Sequence, residues 1–480
     1  MKLKDNKIFR WIIIPLCLTL CFVGRFIPPV GELTSDGWGV IFIFLGTIIL
    51  WLTIGIDWPS LVCIFSLGFL ENFGFNKAFT SSFGNSTFVF LLFTFVCTYA
   101  LSKTTLIKRV ALSFVDSKLA KRSGNWFVFL FLTAVLLLGL FISPSVLFVV
   151  MLPILNEILD LANINKEDKV AKTLMMGLGF TVSISSGMTP IAHVFPLLAM
   201  NAANISVSPI LYMSIAIPVG LIIFILMMLM FKFILRPDVK QLVNVDVSSL
   251  KKDLAEINKC DIITISIFIV VILLWILPSI FKGASEDFYN AINKYGTAMP
   301  PLLGTIALCI IRVDNEPLIK IDDAFKNGIP WTSLVMCAGT LALGAALTND
   351  AIGLKTFLQN SLSTSLANLP QIALLIIFVC WAAIQTNLSS NMVTATLVAT
   401  VASSILAAIN STLNVETVIC LIGMMASFAF ATPPSMPHIA IIAGGETCNT
   451  KDVLIYGGLL MIISIVVTLL IGYPLGNIIL

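Results

Sequence analysis

Residues 141–150 read FISPSVLFVV, and residues 388–397 read LSSNMVTATL. In each, a small polar corner, Ser143–Pro144–Ser145 or Ser389–Ser390–Asn391, separates two apolar arms. Proline has no amide hydrogen and clashes with the turn before it, so the chain on either side of Pro144 forms separate helical pieces. At membrane depth such a corner survives only where protein or a watery cavity satisfies its amides. What it exposes is useful. An anion suits the positive helix ends, and a cation suits the freed carbonyls.

The corners have matching companions. GMTPIAHVF (187–195) follows the first and PSMPHIAII (434–442) follows the second, with 47 residues from Ser143 to Pro190 and again from Ser390 to Pro437. These companions predict two further breaks, at Ser185–Ser186–Gly187–Met188–Thr189–Pro190 and at Thr432–Pro433–Pro434–Ser435–Met436–Pro437. Upstream, FVCTYALSKTTLIKRVAL (95–112) is similar to AGTLALGAALTNDAIGLK (338–355) at nearly the same offset. Three elements in one order indicate two related halves. The polar, charged stretch 236–261, close to the midpoint, is the linker between them. Lys103, Lys108, Arg109, Lys118, Lys121 and Arg122 crowd the segment after the first upstream helix, whereas 349–369 carries Lys355 and Asp350. Lys and Arg accumulate in cytoplasmic segments. The first segment is therefore expected inside and its counterpart outside, which makes an inverted repeat with a site near the midplane.

Composition fixes the class. Apolar residues make up 58% of the 480-residue chain and charged residues 11%, against about 25% charged in soluble domains, with mean hydropathy +1.03. The missing solvent is lipid. The apolar tracts are continuous, not alternating, so they are helices and not barrel strands. Eleven long tracts run from Trp11–Val23 to Val453–Ile471, where a span needs about 20 residues with its flanks. Leu61–Leu70, Val146–Leu155, Leu174–Ile184 and Met392–Ile409 read as too short or too interrupted to span. The expected fold is an all-α polytopic membrane protein with about 11 transmembrane helices and two re-entrant hairpins. The basic start MKLKDNKIFR precedes an apolar tract without an Ala-x-Ala-like site, so it reads as a retained first helix with a cytoplasmic N-terminus. A net charge of +3 gives no reason to expect nucleic acid, and ten cysteines without a CxxC give none for a disulfide framework, haem or zinc.

These residues resemble the divalent anion:sodium symporters, which carry dicarboxylates, citrate or sulfate. AIQTNLSSNMVTATLV is similar to that family's second hairpin, FAFATPPSMPHIAIIAGG to the segment after it, and LGFTVSISSGMTPIAH to its first broken helix. The resemblance extends through most of Phe79–Gly445. It implies an elevator transporter, a homodimer in the plasma membrane, with scaffold helices in 1–124 and 262–368. A transport domain would be built from 125–235 and 369–480, with 236–261 a cytoplasmic linker. Carried over by position, Ser143, Ser145, Ser390 and Asn391 would be substrate ligands at the hairpin tips. Thr189, Pro190, Met436 and Pro437 would line the broken helices, and Thr386, Ser389, Asn391 and Ser435 would hold sodium. Three departures matter. Pro144 stands where the family has Asn, Met392 replaces a Thr hydroxyl, and Met436 replaces another.

Histidine is the other candidate. His193 and His438, the chain's two, each lie just after a broken-helix proline. A dianion buried without a counter-charge is prohibitively unfavourable, so an imidazolium would be one compensation, and a neutral ring bonded to freed carbonyls is the alternative. The expected function is secondary active transport of a small anion of the di- or tricarboxylate or sulfate class, coupled to sodium. A proton-coupled carrier or exchanger of a less charged solute is the second reading. A channel has no need of a repeated pair of corners. A membrane enzyme would want metal ligands or an activated nucleophile, and no HExxH occurs.

Overall fold

The computed structural model describes residues 7–31, 33–191, 193–245, 256–281, 294–296, 298–347, 349–353, 357, 370–388, 390–409, 411–433 and 435–480. The basic residues Lys2 and Lys4, the middle of the linker, Lys355 and the sodium candidate Ser389 lie outside the described residues. The protein is nearly all helix. Among the described residues β-structure is confined to a ladder of Arg312–Val313 with Glu316–Pro317 and one bridge between Val30 and Leu33. Six described helices are long and apolar enough to cross a membrane, or seven if the pair Ile321–Gly328 and Trp331–Leu347, bent by 79°, is one span. Five shorter apolar helices accompany them.

Each predicted corner joins two helices. Gly124–Gly139 leads to Pro144–Leu161, and Gln371–Leu388 leads to Asn391–Ala408. Pro144 occupies the first turn of its helix, where a missing N–H is tolerated. Three pieces that read as too short or too interrupted lie in full helices, Pro144–Leu161 and Asn391–Ala408 of 18 residues and Lys169–Met188 of 20. The first runs on because Asn156, Glu157 and Asp160 keep helical geometry on an exposed face while Leu155, Ile158 and Leu159 stay buried. A count of apolar residues stops at the first charge; the helix does not.

The two broken helices sit between these pairs, and their breaks are shifted from the sequence reading. Lys169–Met188 remains helical through Ser185, Ser186 and Gly187, and the chain becomes helical again at Phe195. The serines fold back on their own helix, Ser185 Oγ donating to Val182 O at 3.0 Å and Ser186 Oγ to Ser183 O at 2.8 Å. Their smallness serves packing instead. A Cβ at Gly139 would lie 2.0 Å from Ser185 Oγ, so the neighbouring helix approaches closely there. In the second half the helix Val415–Ser427 ends earlier than expected, and Phe428–Ala431 leave it before Pro437–Gly444 begins. Phe428 and Phe430 stack at 6.0 Å, and Phe180 meets Phe430 edge-on at 5.8 Å. An apolar FAFA run reads as helix, yet these rings are held by packing from outside.

Lipid tails are as apolar as the helices, so close backbone approach at small residues drives association. Helix Thr450–Val467 meets the second break at Gly457, where a Cβ would fall 2.2 Å from Phe430 O. At its start, Lys172 Nζ binds Asp452 Oδ2 at 2.8 Å beside a capping box of Asn449 with Asp452. Gly457→Ala is therefore expected to push this helix off the break and lower stability by about 1–3 kcal/mol, as overpacking does. A thermal unfolding midpoint in detergent equal to that of the parent would contradict this.

Candidate functional site

The two corners meet. Ser143, Pro144 and Ser145 from one pair and Ser390, Asn391 and Met392 from the other line a single cavity of about 790 Å³. His193 and Phe195 after the first break, and Ser435, Met436 and Pro437 at the second, complete that side. The opposite wall comes from helix Ser86–Ser102 through Thr98, Tyr99 and Ser102, and from the bend Asn327–Pro330 ahead of Trp331–Leu347. Thr189, Pro190, Thr386 and His438 do not line the cavity.

Polar accounting explains why the second break holds. Asn387, 2% exposed, uses its whole amide. Its Oδ1 accepts from Phe430 N at 2.8 Å and Ala431 N at 2.7 Å, while Nδ2 donates to Ala383 O at 2.8 Å and Phe428 O at 3.3 Å. Thr386 Oγ1 donates to Ala426 O at 2.6 Å, and Thr432 Oγ1 donates to Asn387 O. Ser435 Oγ donates to Thr432 O at 2.6 Å. Helix Gln371–Leu388 thus supplies the partners that an interrupted helix loses. Thr386 is tied to that backbone and is buried away from the cavity.

His438 is likewise structural in its contacts. Its Nε2 lies 2.9 Å from Ser183 Oγ, and that hydroxyl donates to Ala429 O at 3.1 Å. The roles at the Nε2 contact follow the ring's tautomer, and Nδ1 is buried. His193 stands differently. It lines the cavity, its Nδ1 accepts from Val194 N at 3.0 Å, and its ring packs 3.8 Å from that of Phe195.

Among the described residues that line the cavity none is Asp, Glu, Lys or Arg. The ion pair of Lys103 with Asp323 is one hydrogen bond away, since Asp323 accepts from Tyr99 at 3.3 Å and from Asn327 Nδ2 at 2.7 Å. Positive potential inside the cavity has another source. Helices beginning at Pro144, Asn391 and Pro437 present their N-terminal turns, each worth roughly half a unit charge, through lining residues. Asn391 adds a buried Nδ2 without a partner. Among the described residues no group of three or more His, Cys, Asp or Glu side chains can hold a metal. A cation would rest on hydroxyl, amide and carbonyl oxygens.

Sequence reasoning missed Asn387 and the facing wall. Asn387 sits one residue from the named Thr386, in an apolar tract where an unpaired amide is unfavourable, and that was the available signal. The bend before Trp331 was signalled by Gly328 and Pro330. Asn387→Leu is expected to orphan the amides of Phe430 and Ala431 and to destabilise the protein by about 1–3 kcal/mol for each. The midpoint of thermal unfolding measures this, and a shift no larger than that of a surface control would refute the lock.

A family model described as the sodium:sulfate symporter transmembrane region matches residues 8–480. A sodium-dependent dicarboxylate transporter, SdcS, of Staphylococcus saprophyticus subsp. saprophyticus is 24% identical over 415 residues, 82% of this chain and 77% of the relative. SdcS of Staphylococcus aureus strain MRSA252 is 25% identical over 428 residues, 84% of this chain and 78% of the relative.

Proposed function

The chain belongs to the sodium:sulfate symporter transmembrane family, and from that we propose that it carries a small carboxylate or sulfate-like anion across the plasma membrane with sodium. One observation carries the reading: two Ser-bearing corners, distant in sequence, border one cavity whose described lining residues carry no fixed charge of either sign. Its walls offer the N-terminal turns of helices that begin at Pro144, Asn391 and Pro437, which suit an anion. They supply no cationic side chain, so a co-transported sodium ion offsets the anion's charge. Sodium dependence in the name of the SdcS relatives agrees with this.

The movement we propose is an elevator within a homodimer, on about 11 spans arranged as an inverted repeat with a cytoplasmic N-terminus. The cavity lies at the junction of two groups of helices. The corner-bearing pairs pack on the broken helices, whereas Ser86–Ser102 packs on Met299–Ile310 and Lys259–Phe281. The first group, 125–235 with 369–480, would travel, and the second would stand still. Sodium would use Asn391, Ser435, Ser389 and carbonyls near Thr386, while Ser143, Ser145, Ser390, Met436 and Pro437 would face the anion.

Purified protein tests this by thermal shift with succinate, citrate and sulfate, each with sodium or with potassium. A ligand at a hundredfold excess over Kd stabilises by about 2.7 kcal/mol. We expect stabilisation by at least one anion in sodium only, and its loss in Asn391→Leu. Equal shifts in sodium and potassium would overturn the sodium coupling, and no shift with any anion would overturn the anion site.

A further inference from the structure

Four side chains that line the cavity carry N–H groups: Trp51, His193, Asn327 and Asn391. Trp51 Nε1 is committed, donating to Ser60 Oγ at 3.0 Å, while Asn327, an exposed residue, spends one of its two Nδ2 hydrogens on Asp323 at 2.7 Å. Asn391 Nδ2 is buried without a partner. His193 is held by the backbone. Because Nδ1 accepts the Val194 N–H at 3.0 Å, the neutral ring carries its hydrogen on Nε2, the nitrogen without a protein partner among the described residues. A cationic ring would set a second N–H against that of Val194 and lose the contact. Phe195, 3.8 Å away ring to ring, packs against the imidazole.

We propose that His193 is a substrate-binding and specificity-determining residue, presenting its neutral Nε2–H to the carboxylate of the transported anion. This rests on the anion-site reading above and deepens it. His193 contributes direction and a hydrogen bond but no charge, so charge balance stays with the co-bound cation. Pro144 removes a side chain from the first corner, and the ring of His193 enters the same cavity from the neighbouring break. The donor lost at one corner is thereby replaced from another element.

The test is sodium-driven succinate uptake in proteoliposomes by the parent, His193→Phe and His193→Gln, at pH 6 and pH 8. Loss of one hydrogen bond to a charged group predicts a KM raised about tenfold to a hundredfold in His193→Phe. Vmax should stay within about twofold. Gln keeps an N–H donor and should restore KM to within about threefold of the parent, and neither variant should alter the pH profile. Sodium alone should shift the thermal midpoint of all three proteins equally, which separates loss of recognition from misfolding. The proposal is overturned if His193→Phe keeps the parental KM, if Gln fails to rescue it, or if the parent's KM falls more than tenfold from pH 8 to pH 6 only when His193 is present. A parent that takes up sulfate but no carboxylate would overturn this proposal alone, and one that takes up neither succinate, citrate nor sulfate would instead defeat the anion-site reading.

Discussion

A helix that stops in an apolar medium leaves amides that no water can reach, and each unsatisfied group is unfavourable by several kcal/mol. The rest of this molecule is organised around meeting that demand at two places. At the second break one side chain does most of it: Asn387 accepts two backbone hydrogens and donates to two carbonyls, standing in for helical bonds that the Phe428–Ala431 segment lacks. At the first break Tyr212 OH donates to Gly187 O at 2.5 Å, while Thr189 Oγ1 in the break itself donates to Leu140 O, just past helix Gly124–Gly139, at 2.7 Å. Tyr212 is 1% exposed and lies in helix Pro209–Met230. The two breaks are solved by different residues, although their positions along the chain correspond.

Once the breaks are stable, their electrostatics follow without further investment in charge. Several helices begin at the cavity, and the first N–H groups of any helix lack intrahelical acceptors. Proline at the first position deletes one of these donors and leaves those that follow, so Pro144 and Pro437 reduce the anion-facing potential only slightly. What Pro144 removes is the side chain that a different residue would have extended into the cavity. Placing a fixed Lys or Arg there instead would hold an anion strongly in every state. A carrier must also release its load, and in the sodium-coupled transport that we propose a set of partial charges completed by a mobile cation would permit that.

The chemistry of the corners was legible because proline and serine announce themselves in an apolar sequence. Ser143, Ser145, Ser390 and Asn391 were named from spacing, and the structure brings all four to one cavity. The exact ends of the helices were not legible. Ser185, Ser186 and Gly187 have the composition of a break, yet they sit inside a helix because a close neighbour needs small residues there; Phe428 to Ala431 have the composition of a helix, yet Asn387 and ring stacking hold them out of one. The close approach of Gly139 to Ser185, the bonds of Asn387 to Phe430 and Ala431, and the packing of Phe180 on Phe430 all reach across some 40 residues or more, which no local window contains. Histidine shows the same limit: proximity to a proline placed both in view, but only the partner at each nitrogen distinguishes His193, open to the cavity, from His438, buried behind it.

Small residues also shape the boundary between the two groups of helices. Helix Trp331–Leu347 packs on Phe195–Ala202, the helix that follows the first break, and it does so through the run CAGTLALGAAL, residues 337–347. A Cβ at Gly344 would fall 2.7 Å from Asn201 O, so the two backbones nearly touch. Contact of this kind depends on fit between smooth surfaces, not on interlocked long side chains, and the run contains no charged residue that would have to be desolvated anew at each position. The broken helices, by contrast, are tied internally by buried hydrogen bonds that a displacement would have to break one by one. In the elevator movement that we propose, sliding would run along the Gly- and Ala-rich face and not within the hydrogen-bonded group.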